Sequence, residues 1–82
     1  LWRNGCVING LSWVSQALEL PAEVEVVIRY HHEPISATLK LDTTGEIIVN
    51  FADKQRAVTP GQLAVIFVGE ELIGAGVIVK AL

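Results

Sequence analysis

Basic charge, cysteine and long apolar runs are all scarce in this chain of 82 residues. Six Lys and Arg against nine Asp and Glu give a net charge of −3, so the basic surplus typical of nucleic-acid-binding proteins is missing. Any RNA contact must therefore come from a local basic patch. The single cysteine, Cys6, excludes an internal disulfide and a CxxC metal knuckle and favours a cytoplasmic location. No run approaches the roughly 20 apolar residues of a membrane-spanning helix, and no signal-peptide pattern is present.

The composition is that of one globular domain covering residues 1–82, with 51% hydrophobic and 18% charged residues. A chain of this size buries roughly 60–65% of its unfolded surface, which suffices for one compact core. The first residue is a leucine inside an apolar stretch, as if the chain had been cut from a larger polypeptide. We therefore expect a single domain belonging to a longer protein.

A helical hydrophobic period is nearly absent. Residues 11–20 could form two helical turns at most before Pro21 ends them. Elsewhere apolar and polar residues alternate or form short apolar runs, which indicates β-strands. The predicted strands are 6–9, 24–30, 36–41, 46–51, 63–68 and 72–79. The residues expected to face inward are Val24, Val26, Ile28, Tyr30, Ala37, Leu39, Leu41, Ile47, Val49 and Phe51, whereas strand 63–68 is apolar throughout and is expected to lack a solvent-facing side.

Turn-forming residues separate these strands at regular intervals. Asp42–Gly45 has the composition of a hairpin connection, residues 52–62 read as a loop, and Gly69-Glu70 as a short turn. Within the loop, Thr59-Pro60-Gly61 suits a type II turn, in which Gly supplies a positive φ. Gly74 and Gly76 fall on one strand face and allow another backbone to approach. We therefore predict an all-β fold, a small closed antiparallel β-barrel of about six strands.

No catalytic or metal site is evident in the sequence. His31 and His32 are adjacent on a strand and point to opposite faces, so they cannot share one metal, and the ligand count for zinc fails. Cys6 has no base nearby and is interpreted as a small buried hydrophobic residue. Glu70-Glu71 lies in a turn, where such carboxylates are solvated, and forms no acid–base pair.

The remaining candidates are groups that bind rather than react. Lys54, Gln55 and Arg56 cluster in the predicted loop, and Arg29 lies with His31 and His32 at the end of a strand. Cationic side chains beside a barrel can neutralise phosphates and add salt-dependent affinity. The further RNA-binding candidate is Gln62, as a hydrogen-bond donor. Trp2 and Trp13 could stack on bases, but in so small a domain a tryptophan is more often part of the core.

Several motifs in the same order resemble the tRNA-specific 2-thiouridylases. Residues 11–14 (LSWV) are similar to their LxWV, and 28–30 (IRY) to the core of their KIRYRQ. Residues 51–62 (FADKQRAVTPGQ) resemble FxxPQRAVTPGQ, and 65–76 resemble VFYxGExxLGGG. The resemblance covers nearly the whole chain and implies the C-terminal β-barrel domain of such an enzyme, similar to the second domain of translation elongation factors. The chain departs from the pattern at Val27, His31 and His32, where the family has Lys, Arg and Gln, so that basic groups are lost.

The resemblance also implies the chemistry of the parent enzyme. These enzymes use ATP to adenylate the wobble uridine of certain tRNAs, and persulfide sulfur from a donor protein then gives 2-thiouridine. The ATP loop and catalytic cysteines belong to the N-terminal domain, so this chain is expected to hold no cofactor and no catalytic residue. Two hypotheses follow: a tRNA-positioning barrel, or a structural or protein-interaction barrel that stabilises the catalytic domain without contacting RNA.

Overall fold

The computed structural model describes residues 1–14, 16–29 and 33–82. Over these residues the chain forms a closed barrel in which every pair of neighbouring strands is antiparallel, in the order β1-β4-β3-β2-β5-β6. The predicted closed β-barrel is thus confirmed, and closure leaves no free sheet edge. The strands are β1 (Trp2–Trp13), β2 (Ala22–Val27), β3 (Ile35–Leu41), β4 (Ile47–Arg56), β5 (Leu63–Val68) and β6 (Glu71–Ala81).

The interior is filled by one face of each strand. Side chains from all six strands form a single core, in which Leu39, Val49, Ile66 and Ile78 are fully buried. Alternation along the strands produces this arrangement, because successive side chains point to opposite faces of a sheet. The inward positions predicted from the sequence that the core confirms are Val24, Val26, Ile28, Ala37, Leu39, Val49 and Phe51, with Ile47 packed against them.

Two of the inward assignments need comment. Leu41 was expected inside the barrel but is 57% exposed. It forms the last strand pair, with Ile47, before the hairpin connection, and so lies beyond the end of the core. Tyr30, the other assignment, falls outside the described residues.

β1 corrects the weak helical prediction for residues 11–20. The strand runs to Trp13, and no helix is found at residues 14 and 16–20. Ser12 and Trp13 pair with Ala75 and Gly74 of β6. A ladder with a strand more than 60 residues away therefore outweighs a local period that spans barely two turns. Among the described residues, no helix is long and apolar enough to cross a membrane.

All three predicted turns are present, including the short turn at Gly69-Glu70. Between β3 and β4, the carboxylate of Asp42 accepts hydrogen bonds from the backbone N–H groups of Thr44 (2.8 Å) and Glu46 (2.9 Å), and Gly45 has a φ of 87°. Between β4 and β5, the backbone N–H of Gln62 donates to the carbonyl of Thr59 at 3.3 Å. Gly61 there has a φ of 93°, as the third residue of a type II turn requires.

The glycines of β6 allow β1 to approach closely. A Cβ atom built on Gly74 would lie 2.5 Å from the carbonyl oxygen of Ser12, and one on Gly76 would lie 3.2 Å from that of Asn9. Both nearest atoms belong to the backbone of β1, which confirms that the two glycines share a face. They therefore close the barrel on this side.

Candidate nucleic-acid interface

The cluster Lys54, Gln55 and Arg56 lies on a strand, which corrects the predicted loop. β4 continues to Arg56 because its end pairs with the start of β1: Arg56 faces Trp2 and Gln55 faces Arg3. Trp2 and Arg56 are 54 residues apart in the sequence, so no local sequence pattern could predict their pairing. The rest of the predicted loop, residues 57–62, does lie outside the strands.

Alternation along β4 sends the side chains of this cluster to two sides. Asp53 and Gln55 line a cavity of about 450 Å³, and Lys54 and Arg56 do not. The cavity also contains Arg29, which follows the end of β2. The sequence-predicted candidates Arg29 and Gln55 are thus brought together. Its lining residues are Ile28, Arg29, Glu33, Pro34, Ile35, Ser36, Asp53 and Gln55.

Arg29 carries an unsatisfied donor at this cavity. Its Nε atom is buried and has no hydrogen-bond partner among the described residues. The amide Nε2 of Gln55 donates to the carbonyl oxygen of Asp53 at 2.9 Å. A buried donor without a partner costs about 1–3 kcal/mol. The planar guanidinium has the geometry to bind carboxylate or phosphate oxygens in pairs.

Arg56 lies outside this cavity, over an exposed aromatic ring. Its guanidinium carbon is 5.6 Å from the ring centre of Trp2, and Trp2 is 60% exposed. The core position favoured for Trp2 from the sequence is therefore wrong, because the residue begins β1 at its unpacked end. Trp13, by contrast, is half-buried and packs against the core. An exposed Trp with an adjacent Arg provides a surface on which a base can stack.

The electrostatics of the region are mixed. Glu33 and Asp53 line the cavity together with Arg29, whereas the exposed side chains of Lys54 and Arg56 are cationic. The local charge is therefore close to balanced. Such a surface orients a polyanion through a few contacts and does not attract it from a distance.

Gln62 is brought together with Arg29 at a second groove. Its Oε1 accepts the backbone N–H of Thr59 at 3.0 Å within its own turn. With Arg29, Leu63 and Val65 it lines a mostly apolar groove, so Arg29 borders both this groove and the polar cavity. His31 and His32 lie outside the described residues, so the structure does not locate them.

Cys6 is held in an environment unsuited to nucleophilic chemistry. It is fully buried in the core, and burial raises the pKa of its thiol to about 11. The thiol is therefore neutral near pH 7, and a neutral thiol is a poor nucleophile and metal ligand. Its interpretation as a small buried hydrophobic residue is confirmed. Within residues 1–14, 16–29 and 33–82, no group of three or more His, Cys, Asp and Glu is placed to hold a metal ion.

These features define a class of protein: a small closed β-barrel with a polar cavity and a basic strand end, suited to binding or assembly. A family model described as the aminomethyltransferase β-barrel domain matches residues 3–78. The chain belongs to the tRNA-specific 2-thiouridylase family, as its C-terminal β-barrel domain. The resemblance drawn from the sequence motifs is thereby confirmed.

Three relatives illustrate the match, each a tRNA-specific 2-thiouridylase MnmA. That of Pseudoalteromonas atlantica is 39% identical over 79 residues, which cover 95% of this chain and 20% of the relative. That of Koribacter versatilis is 41% identical over 67 residues, covering 80% and 18%. That of Heliobacterium modesticaldum is 43% identical over 76 residues, covering 90% and 20%. The chain thus spans about a fifth of the length of these relatives.

Proposed function

We propose that this barrel binds and positions tRNA for an ATP-dependent 2-thiouridylase that makes 2-thiouridine at the wobble position. The three relatives support this proposal, since each is a tRNA-specific 2-thiouridylase. The reaction itself, including ATP binding and sulfur delivery by a donor protein, is assigned to the remainder of a cytoplasmic parent enzyme. The barrel contributes contacts to the anticodon region.

The observation that carries the proposal is the side chain of Arg29, which lines a cavity shared with Gln55. A tRNA phosphate in that cavity accepts hydrogen bonds from the guanidinium of Arg29. Outside the cavity, Lys54 and Arg56 offer charge to neighbouring phosphates, and the ring of Trp2 offers a stacking surface. Together these groups make one interface at the ends of β2 and β4.

The net charge of −3 sets the expected strength of binding. Arg29, Lys54 and Arg56 provide three contacts at most. At about 0.7–0.9 released counterions per phosphate contact, the slope of log affinity against log salt is about −2 to −3. The barrel is therefore expected to bind weakly and to orient the tRNA more than to capture it.

The test is binding of the 82-residue domain to a labelled tRNA anticodon arm, titrated at several salt concentrations. Replacing both Lys54 and Arg56 with Ala should weaken binding and reduce the salt slope by about 1.4–1.8, because two phosphate contacts are lost. The matched control replaces Lys40 and Lys80 with Ala, which removes the same charge from exposed positions elsewhere. Equal losses in the two double variants, or no binding at low salt, would refute the proposal.

A second candidate function is a structural or protein-interaction barrel that stabilises the catalytic domain without contacting RNA. The observation that favours it is the exposure of several large apolar side chains, among them Leu63, Leu72 and Val77. If this function is correct, removing the barrel from a relative should lower the melting temperature of that relative and leave its affinity for tRNA unchanged.

A further inference from the structure

One wall of the barrel presents an apolar face to solvent. In β5, Ala64 and Ile66 are fully buried, so Leu63, Val65 and Phe67 point outward. The prediction that residues 63–68 lack a solvent-facing side is therefore wrong: the strand is apolar on both sides, but only one side is in the core. What the sequence showed as a continuous apolar run is a core strand with an apolar outer surface.

The strands on either side extend this outer surface. Val65 pairs with Val27 of β2 and with Ala75 of β6, and Leu63 pairs with Val77. Directly paired residues project to the same side of a sheet. We call this set the β5 face: Val27, Leu63, Val65, Phe67, Ala75 and Val77.

Polar groups border the β5 face without entering it. β5 has no charged residue. On one side Phe67 pairs with Glu25, whose carboxylate is already occupied in accepting the backbone N–H of Gly69 at 3.0 Å. On the other side Val77 pairs with Asn9 of β1. A contiguous apolar surface with a polar rim is typical of an interaction site.

The size of the β5 face indicates what covers it. Three strands about 4.8 Å apart and six residues long span roughly 15 by 20 Å, a footprint of about 300 Å². A stable complex of two separate proteins buries about 800 Å² on each partner, so this face is too small to hold a second copy of the chain. A covalently tethered partner is present at millimolar effective concentration, and a small apolar face then suffices.

We propose that the β5 face docks on an apolar surface of the polypeptide to which the barrel is joined in a full-length thiouridylase. The proposal rests on the proposed membership of a longer enzyme, and its support is that the matched relatives are about five times as long as the matched segment. The six side chains of the β5 face carry no charge, and Arg29 and Gln62 lie at its edge, where they line a groove with Val27, Leu63 and Val65.

The barrel order places this docking wall opposite Lys54 and Arg56, whereas Arg29 lies at its edge. In the order β1-β4-β3-β2-β5-β6, two strands separate β5 from β4 in either direction around the barrel. Lys54 and Arg56 of β4 therefore remain open to solvent when the β5 face is covered. The barrel thus joins the enzyme by one wall and presents the other.

Hydroxyl-radical footprinting, read by mass spectrometry without RNA, tests the proposal. One sample is the isolated 82-residue chain, and the other is a full-length fusion in which it replaces the barrel of the Heliobacterium modesticaldum enzyme. We expect Leu63, Phe67 and Val77 to be oxidised at least fivefold more slowly in the fusion. Leu41, exposed on the β3–β4 hairpin, and Trp2 are the internal controls and should be oxidised equally in both.

Each other outcome overturns the proposal. Equal oxidation of the β5 face in the two samples means that it is not a docking surface. Concentration-dependent protection in the isolated chain, with sedimentation as a dimer, identifies a second copy as the occupant. Protection that appears only when tRNA is added assigns the face to RNA. If the fusion does not fold, the native relative is compared with its own excised barrel at the aligned positions.

The footprinting is independent of the tRNA titration. Failure of the Lys54 and Arg56 double variant to alter tRNA binding would remove the proposed function and leave protection of the β5 face unchanged. Loss of protection with normal salt-dependent tRNA binding would remove only the docking proposal.

Discussion

Replacing Gly74 with Ala tests how the barrel is closed between β1 and β6. The added Cβ would lie 2.5 Å from the carbonyl oxygen of Ser12 and 3.4 Å from Cδ1 of Leu11. Ordinary van der Waals contact begins at 3.4 Å, so the two backbones must separate by about 0.9 Å. The obstacle is a backbone oxygen in a ladder, which cannot rotate away as a side chain would.

The expected cost follows from two opposing effects. Overpacking a well-packed site costs about 1–3 kcal/mol, and the reduced freedom of the unfolded chain returns about 0.4–1 kcal/mol. The net loss in the free energy of unfolding is therefore about 1–2 kcal/mol. In a domain of this size each kcal/mol lowers the melting temperature by about 4–8 °C, so a decrease of about 4–16 °C is expected.

Gly76→Ala is the matched control on the same strand face. Its Cβ would lie 3.2 Å from the carbonyl oxygen of Asn9, a contact that a shift of about 0.2 Å relieves. The two effects should then nearly cancel, leaving a stability within about 0.5 kcal/mol of the parent. Thermal and urea unfolding of the 82-residue chain measure both variants. A Gly74→Ala variant as stable as the parent, or less affected than Gly76→Ala, would refute this account of the closure.

Two further predictions concern pH. Burial raises the pKa of Cys6 from 9.0 to about 11, so folding favours the neutral thiol; this stabilisation should be complete below pH 9 and lost as the pH rises through 11. At pH 8, Cys6 should accordingly react slowly with a thiol reagent in the folded chain and fast in denaturant, and equal rates would contradict burial. Asp42 behaves oppositely, because hydrogen bonds from the hydroxyl of Thr44, and then from backbone N–H groups, lower its pKa. Asp42→Asn should destabilise the chain at pH 7, with the difference shrinking as the pH falls below 3.8; a difference independent of pH would show that these hydrogen bonds do not depend on the charge.

The parts of the fold that the sequence predicted are those determined by local patterns. Alternation located Val24 and Val26 inside the barrel, and the turn at Pro60-Gly61 was set by the φ preferences of those two residues. The family resemblance then supplied the class of barrel. The alternation and turn signals each lie within about ten residues of the chain, whereas the resemblance draws on motifs spread over residues 11–76.

The features that the sequence missed depend on partners distant in the chain. β4 extends to Arg56 only because Trp2 and Arg3 lie beside it, and the exposure of Trp2 follows from the same pairing. The continuous apolar run Leu63–Val68 was predicted to be buried on both sides, but one side is at least partly exposed. Hydropathy alone cannot distinguish a core side chain from an exposed apolar one. Arg29 was identified by its charge, but its cavity depends on Gln55, which arrives from another strand.

The barrel geometry allows one domain both to dock on its parent enzyme and to bind tRNA. A docked domain that also holds tRNA needs two surfaces that do not compete. Here the apolar surface is centred on β5, whereas Lys54 and Arg56 lie on β4, with two strands between β5 and β4 on each side. An acidic body carrying few cations is then no obstacle, because a barrel held rigidly beside a catalytic domain adds its few phosphate contacts at high effective concentration. We therefore expect the isolated chain to bind tRNA weakly and the same phosphate contacts to contribute more within the enzyme. Docking of the β5 face accounts for both, because it holds the barrel beside the catalytic domain.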